Sequence, residues 1–98
     1  PDWHDRITAT KTTDSGLSAV TFSEYVGRGG HIPLFTIYCA TGSNRDYYAG
    51  RTDLLQLGQT TQAVYFARIA DEAEQSSLQI SVEEIKNRFS LVKQDWNN

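Results

Sequence analysis

Three short segments decide the fold of this chain: PLFTIYCA (33–40), RDYYAGRTD (45–53) and QAVYFARIA (62–70). In each segment the side-chain types alternate with a period of two, which is the period of a β-strand. Residues that favour turns lie on either side of each segment. The sequence therefore predicts three consecutive antiparallel strands in a meander, and none of them carries a pattern of residues associated with catalysis.

The sequence of the N-terminal part of the chain predicts two more strands. RITATKTT (6–13) is rich in β-branched residues, and LSAVTFSEYV (17–26) alternates in the same way. On one face the second strand presents Val20, Phe22 and Val26. Asp14-Ser15-Gly16 lies between the two segments and favours a turn. We therefore expect a β-hairpin here.

The segment 33–40 is the most apolar of the chain. One face carries Phe35, Ile37 and Cys39, and the other carries Leu34, Thr36, Tyr38 and Ala40. Apolar residues on both faces are typical of a central strand or of one covered on both sides. Gly50 suggests a bulge within the segment 45–53, and LLQLGQTTQ (54–62) is expected to be a connection.

The C-terminus carries the clearest helix pattern. Ser81 and Glu84 form a capping box, in which each side chain satisfies a free backbone N–H of the other residue. Apolar residues then recur at helical spacing at Val82, Ile85, Phe89, Val92 and Trp96. We expect a helix at about 82–95 that packs across the sheet. The predicted fold class is α+β, with about five mostly antiparallel strands and one C-terminal amphipathic helix.

Length and composition limit the classes of function. Ninety-eight residues correspond to a single domain, 1–98, and a net charge of −3 gives no attraction to nucleic acid. No apolar run approaches the length of a membrane span, so we expect no membrane insertion. The sequence has no methionine, which suggests a processed protein or part of a longer one. With a single cysteine, no intrachain disulfide can form.

The sequence offers one nucleophile and two possible bases. Cys39 would need His4 or His31 beside it, but it lies in the most apolar strand, which favours a buried thiol. Asp2, His4 and Asp5 lie too near the terminus to preorganise a metal site. We therefore expect no enzyme activity, no metal and no cofactor.

Two further patterns invite functional hypotheses that we do not favour. Gly27-Arg28-Gly29-Gly30 resembles a phosphate-binding loop, but it lies between two strands and is expected to be a hairpin connection. The second pattern consists of two acidic groups, Asp71, Glu72 and Glu74 in one and Glu83 and Glu84 in the other. They fall in a predicted loop and a helix cap, where we expect them to be solvated rather than catalytic.

The tyrosine residues lie in the predicted strands, with arginine residues interleaved among them. These two residue types anchor many protein interfaces because they bury a large rigid area and keep a polar group. The candidate partner-binding residues are Tyr25, Arg45, Tyr47, Tyr48 and Arg51. The alternative is that the tyrosines stabilise the sheet through cross-strand pairs.

Part of the pattern resembles a known family. The matching positions are Leu34, Ile37, Cys39, Tyr48, Val64, Arg68 and Ile69, preceded by Trp3 and LSAVTF (17–22). This spacing is similar to that of small exported proteins that include the VasI/TagO-type accessory proteins of type VI secretion. The chain departs from the family pattern at Tyr38, at Ala70 and in its C-terminal helix. The resemblance implies a non-catalytic, extracytoplasmic accessory domain of a bacterial envelope, and it assigns no binding residue.

The function expected from the sequence is therefore a non-catalytic domain that binds another protein, located in the periplasm or secreted. Two alternatives remain open. One is a small acidic inhibitor or immunity-type protein that covers a basic active site. The other is a pocket for a small apolar ligand between the sheet and the helix, lined by Phe22, Phe35, Phe66 and Phe89.

Overall fold

The computed structural model describes residues 7–14, 16–76 and 80–96. The expectations for Trp3, His4 and the other residues of the N-terminus lie outside these ranges, and so do those for the side chain of Trp96. The strands are β1 (Ile7–Asp14), β2 (Leu17–Gly27), β3 (Gly30–Thr41), β4 (Leu55–Gln59) and β5 (Ala63–Ile69). The helices are α1 (Ser43–Tyr48), a 3-10 helix (Asp71–Gln75) and α2 (Val82–Trp96).

The five strands form one sheet in the order β1-β2-β3-β5-β4, and every neighbouring pair is antiparallel. This arrangement, with a C-terminal helix, confirms the α+β fold class. The order differs from a plain meander because β5 lies between β3 and β4. As expected, β3 is central, and β1 pairs with β2.

A tight turn joins β2 to β3. Arg28 and Gly29 occupy its two central positions and have φ angles of 55° and 75°. Positive φ at both positions is the requirement of the type I′ turn that suits the twist of a two-residue hairpin. The glycine-rich segment is therefore a hairpin connection, as its sequence predicts.

The predicted strand at 45–53 is wrong. Gly42 ends β3 with a φ of 62°, and the next residues form helix α1 instead. At the end of α1 the backbone N–H of the C-cap residue, Ala49, donates to the carbonyl of Arg45 over 3.0 Å. Gly50, with a φ of 71°, lies in the turn after the helix and makes no strand bulge.

The expected connection at 54–62 contains the missing strand. Residues 55–59 form β4, which pairs with β5 at the edge of the sheet. The register shifts between Gln56 and Gly58, so Leu57 is an extra residue on β4. This bulge explains why the segment lacks the regular alternation by which a strand is recognised in a sequence.

Helix α2 covers one face of the sheet, which we call the α2 face. Its helix residues Ile85, Phe89 and Val92 are buried in the main core. The sheet residues of this core are Val20, Phe22, Leu34, Phe35, Ile37, Ala63, Tyr65 and Ala67. The predicted capping box is supported, because the backbone N–H of Glu84 donates to the Ser81 hydroxyl over 3.1 Å. Val82, expected on the apolar stripe, is exposed.

Helix α1 covers part of the opposite face, which we call the α1 face. Tyr48 and Ala49 pack there against a second cluster. The buried members of this cluster are Leu17, Ala19, Tyr38, Ala40, Leu54, Val64 and Phe66. The central strand is therefore covered on both sides near its end, which explains its apolar residues on both faces.

A bulge in β3 changes one predicted side-chain direction. Phe22 pairs with Phe35 and Ser23 pairs with Pro33, so Leu34 has no partner on β2. Leu34 consequently belongs to the same core as Phe35, although simple alternation predicts opposite faces. Val26, which was expected to be on the apolar face, is 52% exposed because a second irregularity precedes the hairpin turn.

Candidate functional site

The candidate site is built on a group of aromatic rings in mutual contact on the α1 face. Tyr38 stacks on Phe66 with 4.9 Å between ring centroids, and Tyr48 stacks on Phe66 with 4.8 Å. Tyr47 meets Tyr48 edge to face at 4.8 Å and is 65% exposed. A continuous set of ring contacts therefore connects the buried sheet to an exposed tyrosine.

An ion pair lies beside this exposed ring. The Arg51 guanidinium donates to both carboxylate oxygens of Asp53, over 3.1 Å and 2.7 Å. The same guanidinium lies 5.2 Å from the centre of the Tyr47 ring and 5.8 Å from that of Tyr48. These distances fall within the range of cation–π attraction. We call Tyr47, Tyr48, Arg51 and Asp53 the aromatic–arginine site.

The ion pair changes the acid–base properties of both partners. The hydrogen bonds from Arg51 lower the pKa of Asp53. In return, the hydrogen bonds to Asp53 raise the pKa of Arg51. Both side chains stay charged across the physiological pH range, so the site presents a fixed cation next to an exposed ring.

Two side chains position the backbone of the site. The Gln56 side-chain amide donates to the carbonyls of Tyr48 and Arg51, over 3.1 Å in each case. Arg45 donates from Nε and Nη2 to the carbonyl of Thr60, over 3.0 Å and 2.8 Å. These bonds attach α1 and its following turn to β4 and to the β4–β5 connection. Gln56 is not among the residues predicted from the sequence, because no motif marks it and its segment was expected to be a connection.

The structure brings four of the five predicted binding residues into one region, and it gives them different tasks. Tyr47 is exposed to solvent and Arg51 is partly exposed, whereas Tyr48 is half-buried against the sheet. Arg45 supports the helix rather than facing outward.

Tyr25 lies at the other end of the same sheet face. It pairs directly with His31 on β3, ten residues before Thr41, where the strand ends. At about 3.3 Å per residue this separation is roughly 30 Å. The rings of Tyr25 and His31 lie 5.5 Å apart, and His31 shares a 3.2 Å hydrogen bond with Thr8. Tyr25 is therefore not part of the aromatic–arginine site.

An open strip of the α1 face separates these two regions. Across four neighbouring strands the residues Thr10, Thr21, Thr36 and Arg68 face one another in register. The Thr21 and Thr36 hydroxyls are 3.0 Å apart. This strip is polar, as expected for the part of the α1 face that α1 leaves uncovered.

The structure separates the predicted nucleophile from the only described histidine. Cys39 packs against the core of the α2 face, and burial raises the pKa of its thiol, although a hydrogen bond with Tyr65 partly lowers it. His31 lies on the opposite face near the hairpin end. Cys39 and His31 therefore form no nucleophile–base pair.

The described part of the chain also lacks two other kinds of site. Within residues 7–14, 16–76 and 80–96, no group of three or more histidine, cysteine or acidic side chains is arranged to hold a metal ion. In the same ranges no helix combines the length and apolarity that crossing a bilayer requires.

The four phenylalanines proposed to line an apolar pocket do not gather in one place. Phe22, Phe35 and Phe89 belong to the core of the α2 face, whereas Phe66 belongs to the cluster on the α1 face. Phe22 and Phe35 stack at 4.8 Å, so their rings contact each other rather than line an empty space. The four phenylalanines therefore do not line one common pocket, and this prediction is wrong.

Comparison with protein-family models, with curated proteins and with solved structures finds no match to this chain.

Proposed function

We propose that this chain is a non-catalytic binding domain that captures another protein through the aromatic–arginine site. The observation that carries the proposal is the exposed Tyr47 ring with the Arg51 guanidinium 5.2 Å from its centre. Tyrosine and arginine on a rigid base are the side chains that most often dominate binding energy at interfaces. Here the base is rigid because Tyr48 stacks on the sheet and Asp53 fixes Arg51.

The preorganised site supports protein capture for an energetic reason. Binding costs free energy when flexible side chains must be ordered, and Arg51 is already held by two hydrogen bonds. The charges at this site do not favour nucleic acid as the partner. Phosphate binding needs several free cations along one surface, but Arg51 is paired and Arg45 donates to Asp46 and Thr60.

The resemblance to VasI/TagO-type accessory proteins extends the proposal to an extracytoplasmic, secretion-related role in a bacterial envelope. This part of the proposal rests on the pattern around Leu34, Cys39 and Arg68 alone. Fractionation of cells that produce an epitope-tagged form of the encoded protein tests it. Recovery in the periplasm or the medium supports the location, and recovery with cytoplasmic markers contradicts it.

The experiment for the binding site places an aromatic photo-crosslinking amino acid at position 47, so that a ring remains where Tyr47 stands. The matched control carries the same amino acid at Glu72, which is also exposed and lies on the 3-10 helix. We expect a discrete cross-linked protein from position 47 and none from position 72. The opposite result favours the alternative of an acidic inhibitor, because position 72 lies between the exposed acidic residues Asp71 and Glu74.

Affinity measurements with the purified partner then test the roles of the residues. We expect Tyr47→Ala and Arg51→Ala each to weaken binding by about tenfold or more, because a hot-spot truncation costs roughly 2 kcal/mol. Lys86 is exposed on α2, so Lys86→Ala is the control and should bind the partner as the wild type does. Tyr48→Ala is unsuitable for this test, since its half-buried ring supports the fold. Unchanged affinity of both variants would contradict the proposed surface.

A further inference from the structure

The outer edge of β1 pairs with no strand among the described residues. In the described sheet β1 pairs only with β2, and its eight residues do so in one unbroken register. It contains no proline and no bulge, which are two of the devices that protect edge strands from pairing. Such an edge can form backbone hydrogen bonds with a further strand.

The turn after β1 determines which of its backbone groups face this edge. Asp14 pairs with Leu17 across a two-residue connection, so these two residues exchange backbone hydrogen bonds. Along an antiparallel strand the backbone groups of successive residues alternate in direction. The N–H and C=O groups of Ile7, Ala9 and Lys11 therefore point away from β2, towards the open edge.

Apolar side chains lie along this edge on the α2 face. A groove of about 130 Å³ opens there and is lined by Ala9, Phe22, Arg88, Leu91 and Val92. Leu91 is 62% exposed, although it belongs to the helix that covers the core. Ile7 lies two residues before Ala9, shares its face and packs at the margin of the main core. An apolar side chain on an added strand would be sheltered from water beside Ala9 and Leu91.

We propose that β1 binds β1 of a second copy of the chain, antiparallel and related to it by a two-fold axis at Thr8. The two five-stranded sheets then join into one sheet of ten strands. Because the axis makes every contact reciprocal, Ile7 of each copy lies opposite Ala9 of the other and fills the groove beside Leu91. On the α1 face, Thr8 lies opposite Thr8.

The same register pairs opposite charges. Asp5 lies two residues before Ile7 in the sequence, outside the described ranges. In the proposed dimer residues 3–6 continue the strand, which brings Asp5 of one copy opposite Lys11 of the other, twice by symmetry. Opposite charges directly across two strands stabilise a sheet. A lysine on an edge strand normally discourages pairing, and a carboxylate opposite it removes that effect.

Three neighbouring symmetric registers match less well. With the axis at Ala9, Lys11 lies opposite Ile7. With the axis at Thr10, Lys11 lies opposite Ala9 and brings its charge to the apolar groove. With the axis at Lys11, the two lysines face each other, which destabilises a sheet. Of these four registers, only the one centred on Thr8 places an apolar residue opposite Ala9 and an acidic residue opposite Lys11.

This pairing leaves the aromatic–arginine site free, because β1 and β4 are opposite edges of the sheet. The site is held by Gln56 on β4 and by the stacking of Tyr48 on Phe66 of β5. A two-fold axis perpendicular to the joined sheet keeps the α1 faces of both copies on the same side. For the proposed function, on which this consequence rests, the dimer would present two capture sites in one direction.

Disulfide cross-linking tests the register. Both variants also carry Cys39→Ala, so that the introduced cysteine is the only one. Thr8→Cys places two thiols directly opposite each other, whereas the matched control Thr10→Cys places them roughly 13 Å apart along the strands. We expect Thr8→Cys to form a covalent dimer under mild oxidation at least about tenfold faster than Thr10→Cys, since only the first pair meets the geometry of a disulfide.

Sedimentation equilibrium of the full chain tests the dimer and its charge pairs. We expect the wild type to dimerise with increasing concentration. Lys11→Glu should weaken the dimer by about tenfold, because two favourable cross-strand charge pairs become repulsive. The double variant Asp5→Lys with Lys11→Glu exchanges the charges and should restore the dimer, which a folding defect in Lys11→Glu would not allow.

The proposal is overturned if the wild type sediments as a monomer at millimolar concentration, which is the result expected if the edge binds only a strand of another protein. It is also overturned if Thr10→Cys cross-links as fast as Thr8→Cys, or if the double variant does not restore the dimer. These results do not depend on Tyr47, so they are separate from the photo-crosslinking test of the aromatic–arginine site.

Discussion

The ring of Tyr48 stacks on the ring of Phe66, with 4.8 Å between their centroids and 20° between their planes. Phe66 in turn stacks on Tyr38 of the central strand, so the short helix α1 is attached to the sheet through aromatic contacts. An isolated helix of six residues is unstable in water, because nucleation is costly and few bonds repay it. The position of Tyr47 at the surface thus depends on a residue buried beneath it.

Phe66→Ala is expected to lower the free energy of unfolding by about 3–5 kcal/mol, as is typical of removing a buried phenylalanine. The variant removes the ring between Tyr38 and Tyr48 and leaves a cavity beneath α1. Urea denaturation followed by circular dichroism measures the loss. Tyr47→Ala is the matched control and should change stability by less than about 0.5 kcal/mol, because its ring is exposed. An equal effect of both variants would mean that the stack does not attach α1.

In the turn between β2 and β3, one substitution is expected to stabilise the protein and another to destabilise it. Arg28 has a φ of 55°, a conformation that asparagine adopts more readily than arginine. Arg28→Asn is therefore expected to raise the unfolding free energy by a few tenths of a kcal/mol. Gly29→Ala should lower it by about 1 kcal/mol, since alanine is strained at the φ of 75° found there. Thermal melts of the two variants should shift in opposite directions, and a shift in the same direction would argue against a type I′ turn.

Much of this fold follows from local sequence patterns. The strands β1, β2, β3 and β5 show alternation, and the structure shows one of the two hydrogen bonds of the predicted capping box, from the Glu84 N–H to the Ser81 hydroxyl at the start of α2. The turn at Gly27–Gly30 is also marked by its glycines. In each of these cases the local preference and the tertiary packing favour the same structure, which is why the pattern is sufficient.

The segment from Arg45 to Gln59 could not be assigned in this way. Tyr47 and Tyr48 favour strands, but the stacking of Tyr48 on Phe66 outweighs that preference and stabilises a helix. Because Leu57 is a bulge residue, β4 does not alternate regularly. The candidate site shares this difficulty: tyrosine and arginine were recognisable by type, but the supporting roles of Gln56 and Asp53 depend on contacts made only after folding.

The thiol of Cys39 is expected to react slowly with alkylating reagents. Burial raises its pKa above the ordinary value of 9.0, so the reactive thiolate is scarce at neutral pH. The rate of iodoacetamide modification should increase with pH and reach half of its plateau value above pH 9.0, with the urea-unfolded protein as the faster control. Tyr65→Phe should move the midpoint of this pH–rate curve to a still higher pH, since the hydrogen bond with Tyr65 lowers the thiol pKa. Rapid modification at pH 7 would contradict the buried position.

The Arg51–Asp53 pair predicts how the aromatic–arginine site responds to acid. The hydrogen bonds from Arg51 hold the pKa of Asp53 below its ordinary value of 3.8, so folding favours the ionised carboxylate. The stabilisation that the pair provides is therefore present above the unfolded-state pKa, and it is lost as the pH falls through the lower folded-state pKa. Nuclear magnetic resonance titration of the Asp53 carboxyl carbon should give a midpoint below 3.8.

Two comparisons separate the effect of Arg51 from the general charge of the protein. Arg51→Gln should raise the Asp53 midpoint towards 3.8, whereas Lys86→Gln removes the same charge from α2 and should leave the midpoint unchanged. Added salt should also raise the midpoint in the wild type, because the pair is exposed and mobile ions screen it. If the midpoint of the wild type already equals that of Arg51→Gln, the two side chains are not paired in solution. Arg51 would then be free to move, and the site would lose the fixed cation beside Tyr47.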